Sequence, residues 1–246
     1  MNICLFEQEE ISKPLNADDP RAQHIIKILH KSVGDTFSAG VIGGQAGTAT
    51  ITKIDGAIHF TFTPQSDGKP LFPLHMIIGF PRPIQLKRLL RDMAALGVSS
   101  VRLCGTELGE KSYLKASLSD PAEVYKMLLD GTVQAASTHV PRLVVRRSLG
   151  ETLKEELSEN ELRVALDNRR AVMSLHGWLE KNFSDGEEKK SVVAAIGSER
   201  GWTENERDLL ESAGFALCSM GKRVLRTETA ATVASSIILD KLGFLD

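Results

Sequence analysis

The sequence predicts an α/β protein, a mostly parallel sheet covered by helices on both faces with a small β-rich module ahead of it. Three observations carry this. From residue 74 onward, short apolar runs alternate with segments of helical spacing. Residues 33–63 hold alternating β-branched segments, "TATITKI" and "AIHFTFT", punctuated by Gly43, Gly44, Gly47 and Gly56. Between these regions, "PQSDGKPLFP" (64–73) gathers three prolines, a glycine and polar residues, the composition of a linker. The expected domains are therefore 1–69 and 74–246.

In the first domain, "DPRAQHIIKIL" reads as a helix. Asp19 caps it, Pro20 takes the first turn, and Ile25, Ile26 and Leu29 share a side. The second domain opens with a buried strand at 74–80 and a helix at 84–97 that stops at Gly97. Strands follow at 100–105, 142–147, 162–167, 191–197 and 215–221. A helix at 120–137 starts on Asp120, Pro121 and Glu123, and another spans 149–159. "TENERDLLESAG" (203–214) carries a capping box in Thr203 and Glu206, with Gly214 as its stop. The last helix runs from about Thr227 to Leu242. It is small or apolar nearly all round, so it is expected to be buried.

Composition excludes several classes. The chain has 246 residues, 42% of them hydrophobic, which is ample for a core, and a formal net charge of −2. A nucleic-acid partner must then be held by a local basic patch. Cys4, Cys104 and Cys218 stand alone, without metal-ligand or disulfide spacing, and read as reduced, buried small residues. The six histidines lack H-E-x-x-H or other ligand spacing, so no metal is expected. "MNICLFEQEE" has no secretory pattern, and no apolar run reaches the roughly 18 residues of a membrane span. A cytoplasmic location is expected. G-x-G-x-x-G, the P-loop pattern and G-x-S-x-G are all missing.

Ligands of open α/β sheets bind beyond the carboxyl ends of the strands. Two such ends are unusual here, "AAIGSERGW" (194–202) and "CSMGKRVLRTETA" (218–230). Each has a glycine just past its strand, where the backbone can turn sharply and approach a ligand. Arg226, Thr227, Glu228 and Thr229 then stand at the mouth of the last helix, where free N–H groups await acceptors. Capping by Thr227 or Thr229 accounts for part of the cluster, but not for a cation at that end.

These residues resemble a known family. "IGSERGW", "TENERDLLESAGF" and "SMGKRVLRTETAA" are similar to the hallmark of the RsmE-type 16S rRNA uridine-N3 methyltransferases, SPOUT-class enzymes that use S-adenosylmethionine. The family forms are roughly I-G-P-E-G-G-F and L-G-x-R-I-L-R-T-E-T-A. Weaker likeness in "RAQHIIKILHKSVGD", "MAALGV" and "QAASTHVP" extends the resemblance over nearly the whole chain. It implies an N-terminal PUA-like β-barrel, a C-terminal sheet domain tied in a deep trefoil knot, and a homodimer. Carried over, the cofactor pocket takes Leu166, Ile196, Gly197, Glu199, Gly201, Met220, Gly221, Arg223, Val224 and Leu225. Departures from the pattern are Ser198 for Pro, Arg200 for Gly, His30 for Arg, Ala95 for Glu and Ser137 for Arg. If the replaced glycine needs a positive φ, Arg200 is strained.

The reaction implied is methyl transfer to N3 of a uracil in 16S rRNA. N3 must lose its proton, and a cation near O2 or O4 stabilises the forming anion. Arg226 is the candidate cation, and Glu199 or Glu228 the candidate proton acceptor. The alternative for both glutamates is structural. Arg21, His24, Lys27, His30 and Lys31 form a candidate RNA-facing patch, with Arg21, His24 and Lys31 sharing a helical stripe. The departures leave two further readings, a SPOUT methyltransferase acting on another RNA and a non-catalytic RNA-binding relative.

Overall fold

Alternating β-branched residues in the N-terminal region form a five-stranded sheet in the computed structural model, which describes residues 2–113, 121–154, 161–183 and 190–245. Its strands are β1 (Cys4–Phe6), β2 (Leu15–Asn16), β3 (Thr36–Val41), β4 (Ala46–Ile54) and β5 (Ala57–Ser66), in the order β1-β3-β4-β5-β2. All neighbours are antiparallel except β1 and β3. The inward residues Phe6, Leu15, Ile25, Phe37, Ile51 and Ile58 make its core. Gly47 lies within β4 rather than between strands, and a side chain there would collide with the Thr63 carbonyl.

The helix beside this sheet starts as expected. The Asp19 side chain accepts from the Arg21 N–H at 2.7 Å, with Pro20 in the first turn of α1 (Pro20–Gln23). It then widens into a π-helical turn over His24–Ile28. The wider turn breaks the expected apolar side: Ile25 is buried, Ile26 half-buried and Leu29 exposed.

The chain divides into two compact units, Met1–Pro70 with Leu129–Val140, and Leu71–Leu128 with Pro141–Asp246. Residues 129–140 join the first unit through local polar contacts. Thr138 Oγ1 donates to the Gly44 carbonyl at 2.7 Å, and the Gly43 N–H donates to the Thr138 carbonyl at 2.8 Å. Ser137 is buried there.

In the second unit, the apolar runs become a parallel sheet. Its strands are β6 (Phe72–Gly79), β7 (Val98–Cys104), β8 (Arg142–Arg146), β9 (Leu162–Leu166), β10 (Met173–Ser174), β11 (Val192–Ile196) and β12 (Ala216–Ser219). Their order is β10-β12-β9-β11-β6-β7-β8, with every pair parallel. β11 is buried at every position, as a strand covered on both faces requires. The helices are α2 (Pro83–Ala95), α3 (Pro121–Gln134, whose end belongs to the first unit), α4 (Leu149–Leu153), α5 (Leu175–Asn182), α6 (Glu204–Ser212) and α7 (Thr227–Lys241). The Asp120 cap and the helical reading of 155–159 lie outside the described residues.

The capping box of α6 is present in both senses, Thr203 to the Glu206 N–H and Glu206 back to the Thr203 N–H. α7 differs from expectation. Neither Thr227 nor Thr229 caps it; Arg226 stands at the cap without a side-chain bond. Nor is it buried all round, since Thr229, Val233, Ile237 and Asp240 face outward. All three cysteines are free and buried, and burial pushes the Cys104 thiol up to about 12. Among the described residues no helix is long and apolar enough to cross a membrane.

Candidate active site

β12, β9 and β11 are neighbours in the sheet, so the loops leaving their carboxyl ends meet. They enclose a cleft of about 160 Å3. Leu166 and Ile196, the last residues of β9 and β11, line it. Gly197, Glu199 and Gly201 contribute from the loop after β11; Met220, Gly221, Arg223, Val224 and Leu225 contribute from the loop after β12. The ten residues carried over as a pocket therefore share one cavity wall. Asp167, Asn168 and Arg169 after β9, Ser198, Arg200, and Thr227 and Ala230 of α7 complete it.

The loop after β11 is held from four sides. Trp202 Nε1 donates to the Leu166 carbonyl at 3.0 Å, and Thr227 Oγ1 to the Gly197 carbonyl at 3.2 Å. Thr106 Oγ1 donates to Ser198 Oγ at 2.9 Å, and the Arg82 N–H to Glu199 Oε1 at 3.0 Å. Between Ser198 and Gly201 the chain closes a tight turn, with the Gly201 N–H on the Ser198 carbonyl at 2.8 Å. The positive φ of this turn falls on Gly201 (+72°) and not on Arg200, so the expected strain at Arg200 is absent. Gly79, at the end of β6, lets the loop pass. A Cβ there would stand 2.5 Å from the Ser198 nitrogen and 2.8 Å from Thr106 Cγ2. Gly221 does the opposite. Its φ is +99°, and a Cβ would meet nothing within 4 Å, because it points into open cleft.

The third wall rests on a buried ion pair that sequence reasoning missed. Asp167 accepts from Arg207 Nε at 3.1 Å and Nη2 at 3.0 Å, and both side chains are 2% exposed. The same carboxylate accepts the N–H groups of Arg169 (3.2 Å) and Arg170 (2.5 Å), which shapes the Asn168–Arg169 segment. Burial raises the Asp167 carboxyl, but the bonds from Arg207 and the backbone outweigh it and hold it below the ordinary value. The partners lie just past β9 and on α6, and no short-range pattern joins them.

Of the catalytic candidates, only Glu199 lines the cleft. Arg226 is exposed between Leu225 and Thr227, which both line it, and Glu228 is buried in the first turn of α7, outside the lining. In the first unit, the stripe of Arg21, His24 and Lys31 does not form. Arg21 turns inward: its guanidinium binds Glu10, Asp19 and the Leu5 carbonyl and lies 5.0 Å over the Phe6 ring. Those carboxylates are consequently held below their ordinary values. His24 is half-buried, its Nε2 without a partner among the described residues, and Lys31 is half-buried. Lys27 and His30 are exposed, and His30 takes a positive φ of 52°.

A parallel sheet with a glycine-loop cleft past adjacent strand ends defines a ligand-binding α/β protein. The family model described as the RNA methyltransferase domain matches residues 67–239. The chain is 40% identical to the ribosomal RNA small subunit methyltransferase E of Treponema pallidum, over 97% of this chain and 91% of that protein. It is 32% identical to the ribosomal RNA small subunit methyltransferase E 1 of Borreliella burgdorferi, over 98% of this chain and 99% of that protein. The fold also matches the crystal structure of the methyltransferase E of Neisseria gonorrhoeae bound to S-adenosyl methionine. The TM-score there is 0.79 at 20% identity, covering 98% of this chain and 97% of that one. The chain belongs to the RNA methyltransferase family, among the small-subunit ribosomal RNA methyltransferases E.

Proposed function

We propose that this protein methylates N3 of a uridine in 16S ribosomal RNA, with S-adenosylmethionine as methyl donor. The coarser activity, S-adenosylmethionine-dependent methylation of small-subunit rRNA, follows the family. The observation that carries the reading is the gathering of ten separated residues, from Leu166 to Leu225, on one cavity wall. That wall suits the cofactor. Leu166, Ile196, Leu225 and Ala230 offer apolar surface, while the bare backbone around Gly197 and Gly221 offers N–H and C=O groups to polar edges. When bound, S-adenosylmethionine supplies an electrophilic methyl group on a sulfonium.

The chain's own residues do the rest. The loops after β11 and β12 hold the donor in place and fix its approach. Arg226, at the cleft edge, donates to a uracil carbonyl oxygen as N3 becomes anionic. Glu199, the carboxylate in the lining, takes the N3 proton; its other task is to accept the Arg82 N–H. Glu228 favours the N-terminus of α7. Exposed Lys27 and His30 present charge and hydrogen bonds to RNA on the first unit. That unit reads as a PUA-like barrel, the cleft as part of a deep trefoil knot, and the protein as a homodimer through α7.

Single-turnover methyl transfer to small subunits, followed by mass-spectrometric mapping of the modified nucleoside, tests this. Arg226→Ala is expected to slow transfer about a hundred- to a thousand-fold with cofactor affinity nearly unchanged. Arg226→Lys recovers only part, because a point charge does not reproduce the guanidinium fork. Parental rates in Arg226→Ala make Arg226 structural, and a product other than N3-methyluridine removes the base assignment.

A further inference from the structure

The arginines in and beside the cleft fall into two groups. Arg170 is tied to Glu204, Asp208 and Glu211, and Arg207 to Asp167 and Glu204. Arg169, Arg200 and Arg223 line the cleft, are exposed, and form no ion pair among the described residues. Exposed Lys222 and Arg226 flank them, likewise without an ion pair among the described residues. Against these, the lining holds Glu199 and Asp167, and Asp167 is already neutralised by Arg207. A chain of net charge −2 thus concentrates unneutralised positive charge at the mouth of one cleft. S-adenosylmethionine, with a sulfonium, an ammonium and one carboxylate, is itself a net cation at neutral pH. Its demethylated product has lost the sulfonium charge and is neutral overall. The mouth therefore opposes the donor and favours a polyanion.

Resting on the methyltransferase reading, we propose that Arg169, Arg200 and Arg223 form a phosphate-binding rim that makes RNA and the methyl donor bind cooperatively. Phosphates seated on the rim remove the charge that repels the donor, and the donor's affinity rises. By linkage the donor strengthens RNA binding by the same factor. After transfer the product has lost the charge that coupled it to RNA, so the two leave independently.

Titration calorimetry of the full chain with donor and with demethylated product, with and without a uridine-rich RNA oligonucleotide, tests the proposal. Without RNA at low salt, the product is expected to bind about threefold tighter than the donor, and the gap to close at high salt. RNA should raise donor affinity severalfold and leave product affinity nearly unchanged. In Arg169→Gln with Arg200→Gln, donor affinity without RNA should rise toward that of the product, while RNA binding weakens and its salt slope drops by about 1.5. The charge-keeping pair Arg169→Lys with Arg200→Lys should retain the coupling, which a purely structural role would not predict. If the glutamine pair loses donor and product affinity alike, the arginines hold the ligand's carboxylate and the proposal fails. It fails also if RNA leaves the donor-to-product ratio unchanged. Absence of binding by either ligand sinks the methyltransferase reading itself, and the coupling with it.

Discussion

Gly79 and Gly221 shape the cleft by opposite means. Gly79 is a glycine because another chain segment lies against it; Gly221 is one because nothing does, and because its φ is positive. Gly79→Ala should therefore act on stability. The Ser198 loop must shift, at about 1–3 kcal/mol, readable as a lower denaturation midpoint. Gly221→Val should leave the fold in place, at a strain of about 1–2 kcal/mol, while its side chain fills the cleft and abolishes cofactor binding. A Gly221→Val protein that binds S-adenosylmethionine at parental affinity would place the ligand elsewhere. Gly221 was legible in the sequence, since a glycine just past an apolar strand is a local pattern. Gly79 was not, because its constraint comes from residues 106 and 198. Arg21 was misjudged for the same reason: Glu10, which claims it, belongs to a different turn of the chain.

Elements declared themselves where their start and stop signals are local. Asp19 with Pro20, and Thr203 with Glu206, mark helix starts that the structure keeps. β10 and α5 were missed: two residues make no alternation, and α5, although capped by Ser174 through the Gly177 N–H, has glycine where a capping box places Glu or Gln. The link between β9 and α6 was equally silent, although the Asp167–Arg207 pair supports one wall of the cleft. Arg207→Met should leave Asp167 buried without its cation, at about 3–5 kcal/mol by chemical denaturation. Because the folded Asp167 value lies below its unfolded one, its contribution is fully present above the unfolded value near 4 and is lost as pH falls through the folded one. Glu10 and Asp19, lowered by Arg21, act in the same direction. Parental stability should therefore fall from about pH 5 downward, and Asp167→Asn should flatten part of that fall. An unchanged pH profile in Asp167→Asn would assign the acid sensitivity to carboxylates other than Asp167.

For the whole molecule, the change of rhythm near residue 70 was legible, but the return of residues 129–140 to the first unit was not, because it is made by hydrogen bonds from Thr138 and Gly43 and not by a hydrophobic pattern. The remaining question of assembly turns on α7. One side packs into the second unit through Ala231, Ala234, Ile238 and Leu239, all fully buried. The other side keeps Val233 36% and Ile237 37% exposed, one turn apart and bracketed by polar Thr229 and Asp240. An apolar pair with a polar rim is the composition of the centre of an interface, and in a homodimer the same stripe serves both copies about a two-fold axis. Light scattering should give a dimer at micromolar concentration. Val233→Glu with Ile237→Glu should give a monomer of unchanged circular dichroism, because neither side chain belongs to the buried side of the helix. A parental monomer would remove the dimer from the proposed function. A dimer that survives both glutamates would move the interface away from α7.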